Sequence, residues 1–352
     1  MNMNNVERFR ELDPQGMIDH INALPDQLAG AYQLGLSLDL PKWDGIQQVL
    51  VAGMGGSAIG GDLLAEYARP LASAPVIVHR DYGLPTWAKD EGTLLICSSH
   101  SGNTEETLSV FAEAAKANCR ILAVTTGGKL AEQAKEAGAA LWIFEDDFQP
   151  RAAVGFSFGL LLAALFRLGL IPDPQADLAG AVAAMKAQQE NLLPEVPDTA
   201  NPAKRMGGQF MGRWVTIFGS GYMRPIARRW KCQINELSKA QATFEELPEA
   251  DHNTLQGVIQ PQGQFDYTMS IWLRGPHNHP RNLLRDEFTR TGMMVQGINT
   301  DFVMGTGDSP LAEMWTALHY GDYASYYLAM AYEVDPTPVP MLIELKGKMK
   351  AA

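Results

Sequence analysis

The chain has 352 residues, 46% of them hydrophobic, and a formal net charge of −12. That length allows two domains with proper cores, and so acidic a chain without a basic run disfavours nucleic acid, whose binding rests on Lys and Arg neutralising phosphates. Small molecules are the expected partners; Cys97, Cys119 and Cys232, odd in number and without CxxC or zinc spacing, argue against a disulfide or metal framework, and no apolar run reaches the roughly 20 residues of a membrane span, so a soluble cytoplasmic protein is expected.

In chain order, Val6 to Leu38 carries apolar residues at helical spacing, with a break expected near Pro25. The stretch QVLVAGMGGSAIGGD, Gln48 to Asp62, opens with Val49, Leu50, Val51 and Ala52, an apolar run without helical period that suits a strand buried on both faces. Gly53, Gly55 and Gly56 then let the backbone turn sharply and approach a ligand, and Ala58 to Arg69 is predicted as a helix. A helix N-terminus offers unpaired N–H groups and the positive end of the macrodipole, so an anion is the natural guest. The Ser57 hydroxyl adds one more donor. Ala74 to His79 and Thr93 to Cys97 are predicted as further buried strands, the second running into SSHSGNT. There Ser98, Ser99, Ser101, Asn103 and Thr104 crowd hydrogen-bonding side chains into one strand-to-helix turn, able to wrap a phosphate, and the acids of the following helix suit its dipole. Cys119 to Thr125 and Leu141 to Phe144 continue the alternation into a parallel sheet flanked by helices, with ligand sites at the carboxyl ends of its strands.

PRAAVG, Pro150 to Gly155, leads into an apolar helix at Phe156 to Leu168, expected at a domain or dimer interface. Pro172, Pro174 and the Pro-rich LLPEVPDTANP mark a boundary between halves. Beyond it, Arg213 to Arg229 repeats the plan of strand, Gly-X-Gly turn and helix, and Tyr267 to Leu273 is predicted as a later strand, which points to duplication of a domain. The second copy has RGPHNHPRN where the first has its Ser-rich turn, so one phosphate site, in the first half, is expected. The domain reading is a helical segment at 1–45, a first α/β domain at 46–155, linking helices at 156–200, and a second α/β domain with a C-terminal helix at 201–352. The first Gly-rich loop lacks the Gly-Lys-Ser/Thr ending of a P-loop. A dinucleotide site, with Asp81 on a ribose, accounts for the glycines but does not call for the hydroxyl-rich second turn.

Taken together, GMGGSAIGGD at Gly53 to Asp62, SHSGNTEET at Ser99 to Thr107, and RWKCQINE with SKA at Arg229 to Ala240 resemble the bifunctional phosphoglucose/phosphomannose isomerases, members of the sugar-isomerase (SIS) superfamily. The resemblance implies two SIS domains, each a parallel β-sheet flanked by helices in three α/β/α layers. It implies an isomerase that interconverts glucose 6-phosphate, and mannose 6-phosphate, with fructose 6-phosphate through a cis-enediol, without cofactor or metal. Such chemistry needs a phosphate anchor, an acid to open the ring, a base to carry a proton between carbons 2 and 1, and a cation near the enediolate. By resemblance the anchor is Gly56, Ser57, Ser99, Ser101 and Thr104, the base is Glu236 of QINE, and His252 handles the ring-oxygen proton. Arg151 stabilises the enediolate, Lys346 assists ring opening with Lys348 as its alternate, and Thr337 lines the sugar pocket. A homodimer in which His252 reaches the partner's active site is implied as well. Two positions depart from the family pattern: His100 stands where Tyr is usual, and Leu237 where Asn is usual.

Each residue also has a plainer reading. Ser and Thr cap helices, Glu and Lys are usually solvated, and Arg151 suits a salt bridge. A non-catalytic phosphosugar sensor would need the hydroxyl turns but neither Glu236 nor His252, and another SIS isomerase would differ in its sugar.

Overall fold

The computed structural model describes residues 2–351 and opens with helices α1 (Val6–Leu12) and α2 (Met17–Ser37). The break lies at Asp13 to Gly16, where Gly16 takes a φ of 72° and the Asp13 carboxylate accepts the N–H groups of Met17 and Ile18 at 2.8 and 2.9 Å. The break expected near Pro25 is absent, and Pro25 lies inside α2. Proline at that position cannot donate to the carbonyl four residues back, that of Ile21. The buried His319 fills the gap, its Nε2 lying 2.8 Å from the Ile21 carbonyl, and burial lowers the His319 pKa to about 4, so the ring stays neutral with its proton on the bonded nitrogen.

The next part builds the first sheet: β1 (Gln48–Ala52), α3 (Gly55–Ala68), β2 (Val76–His79), β3 (Thr93–Ser98), α4 (Glu105–Lys116), β4 (Arg120–Thr125), α5 (Gly128–Glu136) and β5 (Ala140–Ile143). Its order is β2-β1-β3-β4-β5, all parallel. Central β3 is buried at every residue, as its unbroken apolar run requires. Three helices follow, α6 (Val154–Arg167), α7 (Gln175–Gln189) and α8 (Pro202–Phe210).

The second sheet arises from β6 (Trp214–Ser220), α9 (Arg224–Leu237), β7 (Ala242–Leu247), the single turn α10 (Thr254–Gly257), β8 (Thr268–Arg274), α11 (Pro280–Val295) and β9 (Asn299–Met304). Its order is β7-β6-β8-β9, again all parallel. The edge strands β7 and β9 carry charged residues and are only half-buried, so no apolar run announces them. Long α12 (Pro310–Ala331) and exposed α13 (Pro340–Ala351) complete the chain.

One hydrophobic core runs through both halves, drawing on β1, β3, β6 and β8 and on α2, α6, α9 and α12. The apolar helix α6 belongs to that core. Its residues from Val154 to Leu165 are buried with the exception of Phe156, and it packs on α2 and α3 of its own chain, so its apolar faces are already covered and it is not a dimer face. Glycine makes this close approach possible: a Cβ on Gly159 would stand 3.0 Å from the Tyr32 nitrogen. No helix among the described residues is long and apolar enough to cross a membrane.

Candidate active site

The Gly-rich turn after β1 is left-handed at Gly55, φ 53°, and a Cβ there would meet nothing within 4 Å. Ser57 in the first turn of α3 is buried. Its Oγ accepts the backbone N–H of His100 at 3.2 Å, so a single hydrogen bond joins this turn to the one after β3. In that second turn Ser99 Oγ donates to Thr104 Oγ1 at 3.0 Å and Ser101 Oγ accepts the Asn103 N–H at 3.2 Å. Thr104 is the N-cap of α4 yet makes no side-chain cap bond. The two turns therefore meet at the carboxyl ends of adjacent parallel strands, where α3 and α4 also begin, an arrangement suited to an anion.

His100 is held from behind. Its Nε2 lies 3.3 Å from Asp146 Oδ2, just beyond β5, and its ring meets the Phe144 ring edge-on. Burial alone would raise the Asp146 carboxyl, but the His100 hydrogen bond, the Phe148 N–H and the neighbouring imidazoles of His100 and His20 outweigh it, and its pKa is lowered. The other departure, Leu237, is a fully buried core residue of α9.

Beside the first turn sits the buried Arg151. A Cβ on Gly56 would stand 2.5 Å from the Pro150 carbonyl oxygen and 3.4 Å from Arg151 Cα, so only glycine lets these backbones touch. The Arg151 guanidinium lies 3.8 Å from Glu236 and donates to Gln149 Oε1 at 3.2 Å, to the Pro336 carbonyl at 3.0 Å and to the Thr337 carbonyl. Burial lowers its pKa, opposed by the Glu236 and Asp335 carboxylates and reinforced by Arg229; a guanidinium remains charged all the same. Glu236, in the last turn of α9, keeps 29% of its side chain exposed. A carboxylate open to a ligand and a fixed cation beside it can move a proton and stabilise the negative charge that results.

The fold thus assembles Gly56, Ser57, Ser99, Ser101, Thr104, Arg151, Glu236 and the buried Thr337 around one region. It does not bring in the other two. His252 is exposed in the turn after β7, with no hydrogen bond or ion pair to Arg151 or Glu236 among the described residues. Lys346 is exposed on α13, where Lys348 pairs with Glu344 at 2.6 Å. Three further residues were not singled out by their sequence. Arg229 makes a buried two-bond pair with Asp322 of α12, at 3.2 and 2.8 Å, and holds the Arg151 carbonyl at 2.7 Å. Lys239 folds its ammonium onto the carbonyls of Glu236, Leu237 and Pro336. The only signal for Arg229 and Lys239 was their place in RWKCQINE and SKA; Asp322 had none. Among the described residues no group of three or more His, Cys, Asp or Glu side chains is placed to hold a metal ion.

Residues 199–349 match the family of the bacterial phospho-glucose isomerase C-terminal SIS domain. A bifunctional phosphoglucose/phosphomannose isomerase of Caldicellulosiruptor bescii is 39% identical over 95% of this chain and 98% of its own. One from Aquifex aeolicus is 33% identical over 90% of this chain and 93% of its own. Among solved structures, a glucose-6-phosphate isomerase like protein from Thermus thermophilus superimposes with a TM-score of 0.66 at 19% identity, covering 97% of this chain and 99% of that one. At that identity the likeness speaks for the fold.

Proposed function

Because the chain belongs to the bifunctional phosphoglucose/phosphomannose isomerase family, we propose that it interconverts glucose 6-phosphate and mannose 6-phosphate with fructose 6-phosphate. The observation that carries this reading is the Arg151–Glu236 pair at 3.8 Å, set against Gly56 at the edge of the hydroxyl-lined turns. In the proposed reaction the phosphate binds at Ser57, Ser99, Ser101 and Thr104 and the N–H groups of the two helices. The Glu236 carboxylate takes the proton from carbon 2 of the open aldose and returns it to carbon 1, while the hydroxyl proton on oxygen 2 passes to oxygen 1, leaving the ketone at carbon 2. Arg151 stabilises the enediolate between those steps. Glucose and mannose 6-phosphates differ only in configuration at carbon 2, which is lost in the planar enediol, so one base can serve both.

The remaining roles extend the proposal. His252 and Lys346 handle ring opening, and Thr337, whose carbonyl holds Arg151, borders the sugar pocket. We take the working unit as a homodimer in which His252 reaches the partner's site. The exposure of His252 supports this, as does α13, where Met341, Ile343, Leu345 and Met349 are each more than half exposed, a density of apolar surface that marks an interaction face. The division into 46–155 and 201–352 assigns the anchor to one SIS domain and the base to the other. The reaction would serve glycolysis and gluconeogenesis in the cytoplasm.

A coupled assay of the purified protein on both hexose 6-phosphates, with and without chelator, tests the activity. Turnover of both, unaffected by chelator, is expected; no turnover with binding intact would favour the sensor. Mixing Glu236→Gln with His252→Ala chains under exchange conditions tests the shared site, since mixed dimers should regain part of the activity. No recovery would mean that each site is built from one chain.

A further inference from the structure

Lys239 follows the C-cap of α9 in a left-handed backbone, φ 56°, as residues that close a helix often do, and its surroundings hold it there. Those surroundings are specific. Asn235 Nδ2 donates to the Ala240 carbonyl at 2.8 Å and Ser238 Oγ to the Ser325 carbonyl at 2.6 Å, which pins the turn on either side of it. Although Lys239 is exposed as a residue, its ammonium is drawn back onto three acceptors: the carbonyls of Glu236 at 2.6 Å, Leu237 at 3.2 Å and Pro336 at 3.2 Å. An ammonium has three protons to donate, and all three are used. The Pro336 carbonyl is shared, since Arg151 donates to it at 3.0 Å.

We propose that Lys239 is a positioning residue of the isomerase, fastening the strap 335–337 to the end of α9 and so setting the separation of Arg151 from Glu236. The inference rests on the roles given to those two residues above. Arg151 and Glu236 stand at 3.8 Å, close enough to attract and too far apart for a full hydrogen bond. A strap freed from α9 would let Arg151 close onto the carboxylate, which would make it a weaker base. The charged groups facing the ammonium are Arg151, Asp335 and Glu236. Burial and Arg151 depress its pKa to about 8, against the pull of Asp335 and Glu236. The fastening is complete below that pH and loses one donated hydrogen bond above it.

Four measurements test this. In Lys239→Met, kcat should fall about ten- to hundred-fold with KM nearly unchanged, the mark of lost transition-state geometry. The ratio of wild-type to variant kcat should shrink as pH rises through about 8. Lys239→Arg, which keeps the charge, should recover part of kcat and carry no alkaline fall near that pH. Amide hydrogen exchange at Asp335, Thr337 and Val339 should quicken in Lys239→Met with no substrate present. A Lys239→Met enzyme with wild-type kcat across the pH range, or with unchanged exchange in the strap, overturns the proposal. A wild type inactive on both sugar phosphates would instead break the isomerase reading, and the exchange experiment would still decide what Lys239 does.

Discussion

The turn after β1, GMGGS at Gly53 to Ser57, and the turn after β6, GSGYM at Gly219 to Met223, share one backbone and serve different ends. Gly55 and Gly221 occupy the same place with φ of 53° and 52°, and the residues before them are both extended N-caps. A Cβ on Gly55 would face open space, whereas one on Gly221 would lie 2.5 Å from Asn278 Oδ1. The Asn278 amide donates to the Ser220 carbonyl at 2.8 Å and to its hydroxyl at 2.7 Å. Where the first copy has Gly56 and Ser57, the second has Tyr222 and Met223, and the Tyr222 hydroxyl is tied to the buried Glu313, which also holds His277 Nδ1. The second turn is thus filled by its own side chains, and its helix carries Glu236 at the far end. A duplicated backbone does not duplicate a site; the side chains that border the turn decide whether a ligand finds room.

The largest test of this division of labour is Glu236→Gln. It should bind sugar phosphate almost as wild type while losing isomerisation, and solvent deuterium exchange into substrate carbon, by roughly a hundred- to ten-thousand-fold. Exchange that survives would assign the base to another residue. Acid should act mainly on stability. The His319 pKa is depressed to about 4 in the fold from an unfolded value near 6.5. The folded form therefore resists a proton that the unfolded chain accepts, and stability is full above about pH 6.5 and is lost as pH falls toward 4, by roughly 3 kcal/mol. In His319→Gln, which can still donate to Ile21, denaturation measured against pH should be flatter over that window. Glu313→Gln should lower stability by about 2 kcal/mol through weakened bonds to Tyr222 and His277. It should leave KM for both sugars unchanged; a raised KM would show that the second turn takes part in binding. Smallest is Ser101→Ala. The Ser101 oxygen already accepts from Asn103, leaving its O–H to donate, and its loss should raise KM about tenfold or less with kcat little altered. Inorganic phosphate should protect the wild type against heat, and less so this variant.

Each of the two polar turns was legible because each is local: a strand, its glycines or hydroxyls and the start of a helix lie within a few residues, whereas the hydrogen bond from His100 to Ser57 that joins the two turns is tertiary. The repeat was legible for the same reason. Residues 58–69 and 93–97 fell close to α3 and β3, while β7 and β9, half-buried edge strands, left no apolar run to find. Pro25 was misjudged as a break because its remedy, His319, is 298 positions away from the Ile21 carbonyl it serves. Helix α6 was too apolar to assign a face from sequence, and packing against α2 and α3 covered it within its own chain. The pairing of Arg151 with Glu236, and the meeting of Arg151 and Lys239 on the Pro336 carbonyl, belong to the tertiary structure alone. Charge and hydrogen bonding act over a few ångströms, and which distant residues come within that reach is settled by how the two sheets share a core.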